Sequence, residues 1–307
     1  MTRWWIRPLV RLVAALLLPV AVPAILTLLI WALPGDPASI ICPPETCGGS
    51  AGLAERWHLD DGPMGFFRHW AAGALHGDFG RSWRMLQGVE VGELLAEAVP
   101  TTLVLLALAG VPVGLGVVGA VTGRLPAKAD PLFHVLGLMP SIVLGLAAAA
   151  LVQLEFGAGA FDGSARWARL VGGALVLAFS DGALAGAVTG TRGLFSAEAR
   201  QRYVGIAVLR GETVLSNTLP NVAPALVGQL RARVLHLLSG AVIVEALLEI
   251  NGLGDLLWGG TIWQDFGVVL AAATAFAVLS AALLVVQAVA EVLVALHVRR
   301  APAVGAE

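Results

Sequence analysis

Between Leu12 and Leu33 the chain runs for 22 residues without a charge. As a helix that stretch rises roughly 33 Å, enough to cross the hydrocarbon core of a bilayer. Five more apolar stretches of similar length follow, at Pro100–Thr122, Pro131–Leu154, Leu170–Thr191, Asn221–Val244 and Gly267–Ala290. Lipid offers no partner for backbone N–H and C=O groups, so a spanning segment must satisfy them itself. The expectation is an all-α, polytopic membrane protein with six transmembrane helices and one extended segment after the first. Only 13% of the 307 residues are charged, about half the share usual in a soluble domain. The net charge of -2 gives no global basic field and speaks against nucleic acid as a partner.

Arg3, Arg7 and Arg11 precede the first run. A positive start before an apolar stretch also describes a signal peptide. This run is longer than a signal core, and it ends in Leu33-Pro34-Gly35-Asp36-Pro37, which is no small-x-small cleavage site. It reads as an uncleaved first span with its N-terminus in the cytoplasm. Six spans then put both termini inside, with 11 Lys/Arg on inner segments against 6 on longer outer ones, the bias expected of that orientation. The organisation read from this is residues 1–33 as the N-terminal cytoplasmic end and first span, 34–99 as a periplasmic segment, and 100–307 as a five-helix core with a cytoplasmic loop at 192–220.

Within 34–99, Phe66, Phe67, Trp70, Ala74 and Leu75 recur at helical spacing, which predicts a short helix at the membrane surface. Cys42 and Cys47 fall in the same segment. They read as a local disulfide in an oxidising compartment, with free thiols and then a metal site as the alternatives. The six histidines show no ligand spacing, and His69 and His76 read as surface or interfacial residues. Glycines at 110, 114, 116, 119 and 123, and again at 182, 186 and 190, form small-residue stripes that let helices approach.

Several short strings recur in a fixed order: Leu33–Pro37, Trp57–Asp61, Gly77–Ser82, Val91–Leu103, Met139-Pro140-Ser141, Gly240–Glu245 and Asn251-Gly252-Leu253-Gly254. In that order and spacing they resemble the dipeptide/oligopeptide/nickel permeases of ABC importers over nearly the whole chain. The polar stretch Arg192–Pro224 carries Arg192, Arg200, Arg202 and Arg210. Its Ala207 and Gly211, four apart, and then Leu219-Pro220 are similar to that family's cytoplasmic coupling loop, roughly Glu-Ala-Ala-x3-Gly-x9-Ile-x-Leu-Pro. Two departures stand out. Gly205 occupies the acidic position, and Gly211 to Pro220 is nine residues, about three fewer than in the family pattern.

The resemblance implies a multi-pass permease subunit of the bacterial inner membrane. It implies a second homologous permease, two ATP-binding subunits, a periplasmic or lipid-anchored solute-binding protein, and membrane lipid as partners. Peptides are the leading substrate class, with nickel chelates and other small solutes behind. Ala207, Arg210, Gly211, Leu219 and Pro220 become the candidates for coupling to the ATPase, on a short helix within Glu198–Asn217, with Ala207 and Gly211 small because the partner surface comes close. No catalytic residue, cofactor or metal is expected. The single lysine, Lys128, stands between two alanines and closes no P-loop, so ATP hydrolysis falls to a partner.

Asp181, Arg231, Arg233 and His236 interrupt the fourth and fifth spans. A charge at mid-membrane costs at least about 2.5–3.5 kcal/mol, which argues against lipid-facing positions. They are the candidates for a polar translocation path, with Arg231 directed at Asp181 and Arg233 at the path. Two other classes compete. An ion-coupled secondary transporter would use Asp181 as its ion site. A membrane-embedded enzyme would use Ser239 with His236, three apart on a helix.

Overall fold

The computed structural model describes residues 6–41, 52–157 and 162–300; Cys42 and Cys47 lie outside them. The described chain is helical: α1 Ile6–Ala32, α2 Pro37–Ile41, α3 Leu53–Arg56, α4 Gly62–Leu75, α5 Val91–Val121, α6 Asp130–Gly137, α7 Ser141–Phe156, α8 Gly163–Phe179, α9 Ala183–Ala199, α10 Arg202–Leu209, α11 Val214–Leu248, α12 Leu253–Ile262 and α13 Phe266–Arg300. Among the described residues the only β pairing is the isolated bridge Arg81–Glu90.

Three helices are long and apolar enough to cross a membrane unbroken, over Pro8–Ala32, Val91–Val121 and Phe266–Val294. Three further pairs, α6/α7, α8/α9 and α11/α12, each bend by more than 40° at a short break, giving six spans if every pair counts as one. The chain therefore departs from six straight rods. Between α6 and α7 the bend is 82°, at Leu138-Met139-Pro140. Pro140 has no N–H, fixes its own φ and drives the preceding residue out of the α region. Between α8 and α9 the bend is 44°, at Ser180-Asp181-Gly182, where Asp181 (φ +49°) and Gly182 (φ +73°) both turn left-handed. Pro19 and Pro23 in α1, and Pro220 and Pro224 in α11, by contrast lie inside continuous helices.

The chain divides into two compact units. One takes the described residues of Met1–Ala14, Leu105–Val244 and Ala282–Glu307. Its core joins Val113 and Val117 of α5 to Ala178 of α8 and Ala187 of α9, with Leu226 and Leu230 of α11 against them. Gly116 is bare because Leu184 and Val188 press on it; a Cβ there would stand 2.6 Å from Leu184 Cδ1. Leu115 and Leu154 are 67% and 83% exposed, a placement that water would penalise and lipid does not.

The other unit takes the described residues of Ala15–Val104 and Glu245–Ala281. Phe66 of α4 is its aromatic centre, 5.7 Å from Trp31, 6.1 Å from Trp57 and 5.9 Å from Phe266 between ring centroids. A second cluster gathers Val91, Leu95 and Ala98 of α5 with Leu253 and Leu256 of α12 and Val268 of α13. Two buried carboxylates organise the turns here. Glu245 lies beside Gly252 and accepts from the Gly254 N–H at 2.6 Å, while the neighbouring Leu253 N–H goes to Thr102 Oγ1 at 2.7 Å. Two donors at the N-terminus of α12 are thus satisfied.

Asp265 precedes α13 with no exposed surface. Its Oδ2 accepts from the Ser82 hydroxyl at 2.6 Å and from the backbone N–H groups of Trp83, Arg84 and Met85 at 2.9, 3.0 and 3.2 Å. Three successive N–H groups converging on one oxygen make a small anion nest. They hold the segment after Gly77–Ser82 against the start of α13.

Candidate functional site

The polar stretch after α9 is mostly helix. Only Arg200–Gln201 and Arg210–Thr213 fall outside α9, α10 and α11. Leu219 and Pro220, expected at the end of a loop, sit within α11. Thr213 starts that helix by accepting the Ser216 N–H on Oγ1 at 3.2 Å, as N-cap threonines do. Gly211, at φ +88°, ends α10. Its N–H goes to Val208 O at 2.9 Å, and the Glu212 N–H reaches back to Ala207 O at 3.1 Å. This is the six-to-one and five-to-two pairing of a glycine-terminated helix. The glycine is required by its backbone angle; nothing lies within 4 Å of where its Cβ would be.

The two faces of α10 differ. Val204 and Ala207 are buried, whereas Tyr203, Ile206, Val208 and Leu209 are exposed, Leu209 at 88%. Leu215 and Leu219 of α11 are exposed as well, and Arg210 beside them is exposed. Tyr203 ties the stretch together. Its hydroxyl donates to Glu198 and accepts from Asn221 Nδ2 at 2.6 Å. Partial burial, and then the Glu198 carboxylate, hold its phenol above the ordinary value.

Inside the spans the structure assembles a different polar set from the one expected. Asp181 makes no ion pair with either arginine among the described residues. The breaks of the two bent pairs lock into each other instead. The Asp181 N–H donates to Met139 O at 3.2 Å, and both Asp181 carboxylate oxygens lie 3.3 Å from the Ser141 N–H at the start of α7. Gly137 and Gly182 meet backbone to backbone; a Cβ on Gly137 would stand 2.8 Å from Gly182 Cα. A carboxylate at a helix N-terminus is where the dipole favours negative charge, so Asp181 has its partner without an arginine.

Arg233 lies on the stripe of small residues in α9. A Cβ on Gly186 would stand 2.5 Å from its Nη2. One turn earlier, Gln229 lies against Gly190 and donates to Gly186 O at 3.1 Å and Ala187 O at 3.2 Å. Arg231 and Arg233 are half-buried, and the Nε of each is buried without a partner among the described residues. His236 and Ser239 are exposed, and no hydrogen bond joins them among the described residues. Lower in the same unit, Gln287 Nε2 donates to Glu291 at 3.0 Å, and Glu291 pairs with Arg11. Gln229, Gln287 and Glu291 carry no sequence signal apart from being polar in apolar runs, and the sequence reading passed over them.

Comparison with known proteins agrees with this architecture. Residues 110–301 match the family described as binding-protein-dependent transport system inner membrane component. The glutathione transport system permease protein GsiC of Escherichia coli (strain K12) is 28% identical over 263 residues, covering 81% of this chain and 84% of its own length. GsiC of Shigella boydii serotype 4 (strain Sb227) matches to the same extent. GsiC of Salmonella choleraesuis (strain SC-B67) is 27% identical over 283 residues, 88% of this chain and 90% of its own.

Proposed function

The chain belongs to the family of binding-protein-dependent transport system inner membrane components, and on that premise we propose that it forms the gated path by which a small peptide-like solute crosses the membrane. As a permease of a binding-protein-dependent ABC importer it is an inner-membrane subunit, and in this family ATP is hydrolysed by a partner. The observation that carries the finer reading is the polar ladder of Gln229 and Arg233 on the Gly186 and Gly190 stripe, with Arg231 half-buried between them in the sequence. Guanidinium groups without an acidic partner among the described residues suit a solute that carries carboxylates. The GsiC relatives, named for glutathione transport, support a peptide-like class.

The exposed apolar face of α10, with Arg210 and Leu219 beside it, is the surface we assign to an ATP-binding subunit. Gly211 holds the end of that helix, Ala207 anchors it from beneath, and Pro220 lies in the early part of the path helix α11. Two such subunits, a second homologous permease and an external binding protein complete the importer. Residues 34–99 face the binding protein, and 100–307 form the permease core with the coupling stretch at 192–220 inside.

The test is co-purification followed by reconstitution. ATP-binding subunits should copurify with the tagged chain, and proteoliposomes of the complex should take up glutathione or dipeptides only with ATP and binding protein present. Arg233→Gln should leave assembly intact and abolish uptake. Uptake driven by an ion gradient without ATP would overturn the reading in favour of a secondary transporter. Arg233→Gln with full uptake would remove the arginines from the path.

A further inference from the structure

Two histidines eleven residues apart in the sequence come face to face. His58 lies in the turn ahead of α4, at φ +54°, and His69 lies within α4. Their rings stack 3.7 Å apart, 7° from parallel. Asp61 joins them, with Oδ2 3.5 Å from His58 Nδ1. One ligand atom from each of the three residues lies within 4.8 Å of the other two, and all three side chains are exposed. His69 Nδ1 is 3.0 Å from the Gly65 carbonyl. A carbonyl can only accept, so Nδ1 carries the proton and Nε2 keeps its lone pair. A backbone bond of this kind, orienting the ring and setting its tautomer, is what metal-ligating histidines have behind them.

We propose that His58, Asp61 and His69 bind a divalent transition-metal ion, of the class of Zn²⁺, Ni²⁺ or Cu²⁺. Two imidazoles and one carboxylate are the donor set these ions take. Metal–ligand bonds of about 2.0–2.2 Å place the donors of one ion roughly 3.3 Å apart. The three atoms must therefore close by about 1.5 Å, and the stacked rings must splay so that each points its nitrogen at the ion. Exposed side chains make such rotations in picoseconds to nanoseconds. Three protein ligands leave a coordination position open. His58 and His69 also line a cavity of about 280 Å³ with Trp57, Phe66, Trp70, Asp78 and Phe79, so the open position borders room for a further metal-bound group. The ion would pin the turn at His58 to α4.

The test uses the full chain in detergent, purified on a tag without histidines and in a Cys42→Ser/Cys47→Ser background. Zn²⁺ titration by calorimetry should show one equivalent bound. The Cu²⁺ electron paramagnetic resonance spectrum should carry hyperfine structure from two nitrogens. His58→Asn, which keeps a residue tolerant of positive φ, and His69→Ala should each weaken binding by at least the roughly tenfold to hundredfold typical when only an outer-shell partner of a ligand is lost. His134→Ala should bind as the parent does. Absence of a stoichiometric site, or one that survives the His58→Asn/His69→Ala double change in a monodisperse sample, overturns the proposal. A parent Cu²⁺ spectrum without nitrogen hyperfine structure overturns it too, independently of any variant.

Discussion

Removing the Asp265 carboxylate should be among the most damaging single changes to this chain. Asp265→Ala would strand four donors at once: the Ser82 hydroxyl and the N–H groups of Trp83, Arg84 and Met85. It would also remove the bond from the Val268 N–H to Oδ1, 3.3 Å long. A hydrogen bond to a charged group nets about 1.5–3 kcal/mol. Four bonds on one oxygen share its charge, and the Ser82 hydroxyl can turn to another acceptor, so the terms do not add. A loss of roughly 3–6 kcal/mol is expected, against a total stability of about 5–15 kcal/mol for a typical protein. Asp265→Asn keeps one acceptor oxygen toward the nest and loses the charge, for about 1–3 kcal/mol. The assay is thermal denaturation in detergent read by size-exclusion fluorescence, with limited proteolysis across 82–90 as a local probe. Asp265→Ala should lower the midpoint most, Asp265→Asn less, and both should open the 82–90 segment to cleavage. An Ala variant that melts with wild type, or an Asn variant worse than Ala, would refute the reasoning.

Gly211→Ala places a side chain at φ +88°, a left-handed cost of about 1–2 kcal/mol, and should speed amide exchange over 202–212; Gly211→Asn should speed it less, and equal exchange in all three proteins would remove the backbone explanation. Gly137→Ala meets Gly182 backbone whereas Gly186→Ala meets the end of a guanidinium that can swing aside, so the first should cost about 1–3 kcal/mol as overpacking does and the second clearly less in parallel melts. Asp162 caps α8 by accepting from the Ala165 N–H at 2.8 Å, and that bond first, then the Ser164 hydroxyl, holds its carboxyl below the ordinary value. Its contribution is therefore present above the unfolded value of about 3.9 and lost as pH falls through the lower folded value. Melts of wild type and Asp162→Ala should differ at neutral pH and converge in acid; a constant gap would show that the charge is not what caps the helix. Reporter fusions after Gly88 and after Gly305 should report opposite sides of the membrane; agreement between them would reverse the assignment of 34–99 to the outside.

The three unbroken spans were legible because lipid makes the same demand of each, and a long apolar run is enough to find them. The breaks were not. Pro140 and Gly182 are visible as letters, but nothing in their spacing says that Asp181 will answer the Ser141 N–H. The charge looked as though it needed an arginine because buried charge needs a partner, and a backbone donor leaves no mark in sequence. Gly211 drew attention through its spacing from Ala207, and its left-handed backbone angle is a second demand for glycine that the spacing did not announce. Asp265 and the His58–Asp61–His69 group escaped for a different reason: each depends on residues that only folding brings together, and no local period encodes that.

The bond from Ser82 to Asp265 spans 183 positions of the chain, and this sets an order of events during synthesis. Ribosomes add about 5–20 residues each second, so the 82–85 segment emerges roughly 10–35 s before the carboxylate that will hold it. Through that interval its three N–H groups have only water, or a chaperone, to answer them. The 82–85 segment thus cannot complete its hydrogen bonds until the start of α13 arrives, and a chain truncated before Asp265 should be recognised by quality-control proteases as incomplete.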